Sequence, residues 1–95
     1  MTYKIKFDKR AFKEWEKLDD TVRKQFAKTL LKRQEQPRIK QSKLSGMPDC
    51  YKIKLRASGF RLVYKVVDGE LVILVISIGK RDRSIVYENA KERLV

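Results

Sequence analysis

In residues 51–65, YKIKLRASGFRLVYK, apolar side chains alternate with Lys52, Lys54, Arg56, Arg61 and Lys65. Basic side chains at this density suit the holding of an anion, and the planar guanidinium of an arginine matches the non-bridging oxygens of a phosphate. Residues 79–87, GKRDRSIVY, add Lys80, Arg81 and Arg83 and then Tyr87. A tyrosine beside cations can stack on a nucleobase, or lose its phenolic proton more readily than usual. The chain has no histidine, so it lacks the usual base near neutral pH and the commonest metal ligand. Its acidic residues show no metal-binding spacing, which argues against a two-metal nuclease. The single cysteine, Cys50, rules out an internal disulfide and has no histidine to activate it as a nucleophile.

Several elements must position these groups. Tyr3, Ile5 and Phe7 alternate with polar residues, so residues 2–7 form a strand with one buried face. Asp8 caps a helix through about Leu18 whose stripe is Ala11, Phe12, Trp15 and Leu18. Asp19, Asp20 and Thr21 break it and cap a second helix. That helix repeats Val22, Phe26, Leu30 and the stem of Arg33, and stops before Pro37. Residues 38–50 show no period and form a loop, while residues 51–56, 60–67 and 70–78 form strands joined at Ser58-Gly59 and Asp68-Gly69. The last of these, ELVILVISI, is apolar on both faces and belongs inside the sheet. A basic loop and a short helix capped by Ser84 end the chain. The order β-α-α-β-β-β-α predicts an α+β fold: an N-terminal strand, a two-helix hairpin, three further antiparallel strands and a short C-terminal helix, the helices on one face of the sheet. No repeat or linker interrupts residues 1–95, which form one domain.

Register parity constrains the basic residues. Ile53, Leu55, Phe60 and Leu62 must share the core face, since a slip by one residue would turn all four outward. Lys52, Lys54 and Arg61 then share the opposite face. A four-residue loop over 56–59 sets Leu55 opposite Phe60 and Lys54 opposite Arg61. Lysine and arginine also blunt edge strands against aggregation. Against that reading, no acidic residue is mixed into the cluster, and a second basic segment lies at 80–83.

Composition supports a polyanionic partner. The formal net charge is +12 and the pI about 10.0, with the excess spread along the chain. Such a field attracts phosphate backbones, anionic membranes or acidic proteins. No apolar run approaches a membrane span and the start lacks a secretory signal, so the expected location is cytoplasmic. A non-catalytic RNA- or DNA-binding protein is the alternative. A helix–turn–helix over residues 9–36 fits poorly, because neither helix offers a base-reading face of Asn, Gln and Arg.

KLSGMPDCYKIKLRASGFRLVYKV, then VISIGKRDRSIVYENA, closely resembles the RelE toxins of bacterial type II toxin–antitoxin pairs, and the opening TYKIKFDKRAFKEWEKL extends the resemblance over essentially the whole chain. The resemblance implies the RelE-like, microbial-ribonuclease-type fold. It implies a ribosome-dependent endoribonuclease that cuts mRNA in the A site of the 30S subunit, beside 16S rRNA, with no metal or cofactor. It implies a RelB-like acidic antitoxin, and operator DNA binding only through the toxin–antitoxin complex. The family's catalytic positions carry over to Lys52, Lys54, Arg61, Arg81 and Tyr87. Lys43, Arg56, Lys65, Lys80 and Arg83 extend the basic surface as RNA contacts. Two positions depart from the family: Ser45 stands where close relatives tend to have arginine, and Phe60 where tyrosine is frequent. On this assignment the 2′-hydroxyl of RNA attacks the adjacent phosphorus and leaves a 2′,3′-cyclic phosphate. Arg61 binds the phosphate oxygens and Arg81 assists the leaving group. The base is one of Lys52, Lys54 and Tyr87. A gyrase-poisoning relative of the same fold would lack this catalytic set.

Overall fold

The computed structural model describes residues 2–80 and 85–94. Its strands are β1 (Lys4–Phe7), β2 (Cys50–Leu55), β3 (Phe60–Val67) and β4 (Val72–Lys80), and its helices α1 (Lys9–Glu16), α2 (Asp20–Glu35) and α3 (Ile85–Arg93). The expected caps of α1 and α2 form, while Ser84, the expected cap of α3, lies outside the described residues. Asp8 accepts a hydrogen bond from the Arg10 amide and Asp19 one from the Val22 amide, each at 2.9 Å. Each satisfies an amide that the helix itself leaves unpaired.

The strands make one sheet in the order β1-β4-β3-β2. β1 runs parallel to β4, and the other pairs are antiparallel. β4 is therefore internal, as its two apolar faces require. The β2–β3 register is the expected one, with Lys54 opposite Arg61 and Leu55 opposite Phe60. The β3–β4 connection differs from a two-residue Asp-Gly turn. Asp68–Glu70 form a 3-10 turn and Leu71 adopts a left-handed φ of 54°, so Glu70 and Leu71 belong to the turn.

Ala11, Leu18, Val22, Phe26 and Leu30 of the α1–α2 hairpin bury against Tyr51, Ile53, Leu62, Tyr64, Val66, Ile73, Val75 and Ile78 of the sheet. Each of the valine, leucine, isoleucine and phenylalanine side chains among them contributes roughly 1.5–3 kcal/mol on burial. The Tyr64 hydroxyl donates to the Pro37 carbonyl at 2.6 Å and accepts from Arg33 at 2.8 Å, so no buried polar group is stranded there. Arg38 ties the loop after α2 to the strands, donating to Asp49 at 3.0 Å and to Asp68 at 2.7 Å.

The helices do not all lie on one face. Met47, Cys50, Val63, Ile76, Val86 and Ala90 form a second cluster on the opposite side of the sheet, beneath α3. A bulge makes this possible. Val63 pairs with Ser77 but Tyr64 pairs with Val75, so two β4 residues, Ile76 and Ser77, face one residue of β3. Both side chains serve the α3 side: Ile76 joins the second cluster, and the Ser77 hydroxyl donates to the Val86 carbonyl at 2.6 Å.

Candidate active site

The face that carries α3 also carries the basic residues. Lys52, Lys54 and Arg61 share it by register, and α3 covers its middle. Arg61 lies opposite both Lys54 on β2 and Gly79 on β4. It is only 7% exposed, and its guanidinium donates to the Phe60 carbonyl at 3.2 Å, which holds the fork in place. Lys54 is exposed and Lys52 half-buried beside it. The charge of Lys52 lowers the Lys54 pKa from the ordinary lysine value, and desolvation, Arg61 and Arg56 add to the effect. The ion pairs among the described residues engage Asp8, Glu14, Asp20, Asp49 and Asp68, at other places on the molecule.

Tyr87 is in the first turn of α3, half-buried against the second apolar cluster. Its neighbour Val86 lies over Gly79: a Cβ at that glycine would sit 3.8 Å from the Val86 Cβ. Gly79 is the partner of Arg61, so the start of α3 stands at the end of the sheet where Arg61 and Lys54 project. The expected catalytic residue Arg81 and the neighbouring Arg83 lie outside the described residues.

The arrangement is cationic and built across two adjacent strands, and a separate helix carries an aromatic residue on the same face of the sheet. It suits a phosphodiester flanked by a nucleobase. Comparison with known proteins gives the family. The family model of the ParE toxin of type II toxin–antitoxin systems, parDE, matches residues 5–85. Over all 95 residues of both chains, the protein is 58% identical to the mRNA interferase toxin RelE of Escherichia coli K12. The chain belongs to the RelE toxins of the RelE/ParE superfamily. The fold agrees as closely. The TM-score is 0.94, at 56% identity and full coverage of both chains, against the free R81A/R83A mutant of E. coli RelE. Against the intact E. coli RelBE toxin–antitoxin complex it is 0.82, at 59% identity over 85% of this chain and 99% of that one.

The remaining basic residues fall into distinct places. Lys65 shares the face of Arg61 but sits at the other end of β3, opposite Cys50. Lys43 is exposed and pairs antiparallel with Tyr51 at the start of β2. Arg56 lies in the β2–β3 turn and helps to line a groove of about 300 Å³ with Thr29, Arg33, Ser42, Lys52 and Lys54. Sequence reasoning had no signal for Arg33 and Ser42 at this groove, because the Arg33 stem is accounted for by the apolar stripe of α2. Lys80 is not part of the cluster. It pairs with Phe60 and therefore shares that residue's face, where its ammonium lies 5.6 Å from the Phe60 ring centre. The Cys50 thiol is fully buried, and burial pushes its pKa up to about 11, which leaves it unreactive near neutral pH.

Proposed function

We propose that this toxin cuts mRNA in the A site of the 30S ribosomal subunit, beside 16S rRNA, by a metal- and cofactor-independent transfer to the 2′-hydroxyl. The observation that carries the reading is the fixed opposition of Lys54 and Arg61, with Lys52 crowding Lys54 from the same strand. A lysine acts as a base only when it loses its proton, and a neighbouring ammonium favours that loss. Lys54 takes the proton of the 2′-hydroxyl as the oxygen attacks phosphorus. Arg61 and Lys52 stabilise the charge that gathers on the phosphorane oxygens. Tyr87 stacks on a splayed base and aligns the 2′-hydroxyl. Arg81, by its family position, assists departure of the 5′-oxygen. The products are a 2′,3′-cyclic phosphate and a free 5′-hydroxyl. Lys43, Arg56, Lys65 and Arg83 carry the flanking phosphates, whereas Lys80 faces away and takes no part.

The chemistry also sets the need for the ribosome. The chain has no histidine, the side chain that ordinarily titrates near neutral pH, and alignment alone can supply roughly 7–11 kcal/mol of a barrier. The decoding centre supplies that alignment by holding the codon with the 2′-hydroxyl in line. An acidic RelB-like antitoxin neutralises the same cationic face. DNA is reached only through that complex, which represses its own operon. The E. coli relatives carry the names mRNA interferase toxin RelE and RelBE toxin–antitoxin complex, in keeping with this reading. Primer extension on translated mRNA should show cuts at fixed positions within codons, and naked RNA of the same sequence should be almost untouched. Equal cleavage of both would overturn the proposal.

A further inference from the structure

Side chains take over one edge of β4 where its partner strand ends. β1 accompanies β4 only to the pair Phe7–Val75, and the Asp8 amide makes a further backbone bond there, to the Val75 carbonyl at 2.9 Å. Past the bulge, the edge groups are the Ile76 carbonyl and the Ile78 amide. Arg93 donates to the Ile76 carbonyl at 2.8 Å, and Glu14 Oε1 accepts from the Ile78 amide at 3.1 Å. The two side chains also bond each other, Arg93 Nη1 to Glu14 Oε1 at 2.8 Å and Nη2 to Oε2 at 3.2 Å. Their side chains are 11% and 25% exposed, so this is no solvent-screened surface pair. Glu14 belongs to α1 on one face of the sheet and Arg93 to α3 on the other. The bridge therefore passes round the strand edge and fastens one helical layer to the other.

α3 needs such a fastening. It has nine residues, fewer than the roughly 12–15 at which an isolated helix becomes even marginally stable. Its fully buried residues are only Val86 and Ala90. Its first turn is held by the Ser77–Val86 bond and its last turn by Arg93, with Tyr87 between them. We infer that Glu14 and Arg93 are positioning residues that set the place of Tyr87 through α3. Loss of the Arg93 guanidinium strands the Ile76 carbonyl and leaves a partly buried Glu14 carboxylate without its cation. The last turn is then released, and Tyr87 shifts with it. This rests on the reading of Tyr87 as a group that acts on the RNA.

Amide exchange over residues 85–93 and single-turnover cleavage on mRNA-programmed ribosomes test it together. The set is the full-length wild type, Arg93→Met, Arg93→Lys, Tyr87→Ala and the Tyr87→Ala/Arg93→Met double variant. Arg93→Met should exchange α3 amides about tenfold faster while α2 stays protected, which also shows that the fold persists. Its cleavage rate at saturating toxin should fall roughly 10- to 100-fold, with the half-saturating concentration unchanged, as expected for a misplaced group. Arg93→Lys, which keeps a donor for the Ile76 carbonyl and Glu14, should recover most of both. In the Tyr87→Ala background Arg93→Met should cost nothing more. Unchanged α3 exchange in Arg93→Met, or the same fold-loss with and without Tyr87, would overturn the inference. Full activity of Tyr87→Ala alongside faster α3 exchange would instead refute the role of Tyr87 and leave the fastening intact.

Discussion

At the scale of single residues, the proposed site depends on two lysines of unequal character on one strand. Lys52 and Lys54 point the same way because they are two positions apart, and β2 holds both backbones still. The charge of Lys52 lowers the affinity of Lys54 for its proton. If Lys54 is the base, cleavage rises with pH through its lowered pKa, below the ordinary lysine value of about 10.4. Lys52→Ala removes the main cause of that lowering. Its rising limb should therefore move to higher pH, in addition to any overall loss of rate, whereas Arg56→Ala, a minor contributor, should shift it far less. A pH–rate profile of single-turnover cleavage measures this directly. An unmoved limb in Lys52→Ala would assign the base elsewhere.

At the scale of elements, the strands and caps carry most of the organisation. The side-chain period of two and the four-residue turn suffice to oppose Lys54 and Arg61, so this pairing is legible in the sequence itself. The hairpin α1–α2 is equally local in origin, with Asp8 and Asp19 at its two helix starts. Asp19→Ala should cost about 1 kcal/mol, read as a lower denaturation midpoint with unchanged slope, while leaving cleavage by the folded toxin intact. The element that sequence reasoning places wrongly is α3. Its apolar residues are few, and the residues that receive it, Ile76 and Ser77, acquire their common face only through the bulge opposite Val63. Lys80 is misplaced for a related reason. It lies near Arg81 in sequence, but its pairing with Phe60 turns it to the other side of the sheet.

At the scale of the whole molecule, a net charge of +12 keeps the protein ready for a polyanion at the expense of self-repulsion. The described acidic residues relieve that repulsion away from the site, at Asp8 beside Arg10, and at Asp68 between Tyr3 and Arg38. Hydrogen bonds from these partners hold the Asp8 and Asp68 carboxyls below the usual carboxylate pKa. A carboxyl lowered in the folded state stabilises the fold above its ordinary pKa, and the contribution disappears as pH falls through the lowered value. Thermal midpoints should therefore hold steady from about pH 7 to pH 5 and drop below about pH 4, where net charge also climbs. A midpoint that is unchanged down to pH 3 would show that these contacts contribute nothing.

Sequence alone determined the existence of the strands, the helical hairpin with its two caps and the common face of Lys52, Lys54 and Arg61, since each follows from short-range periodicity, turn chemistry and parity. The proposed catalytic roles rest on family resemblance, because no local rule links Tyr87 to a strand some 30 residues earlier. Only the tertiary structure decided that β1 joins β4 in parallel and stops short. Only there do the bulge, α3 and the Glu14–Arg93 bridge come together. These are contacts between residues far apart in the chain, set by which edge and which face remain uncovered once the sheet has formed.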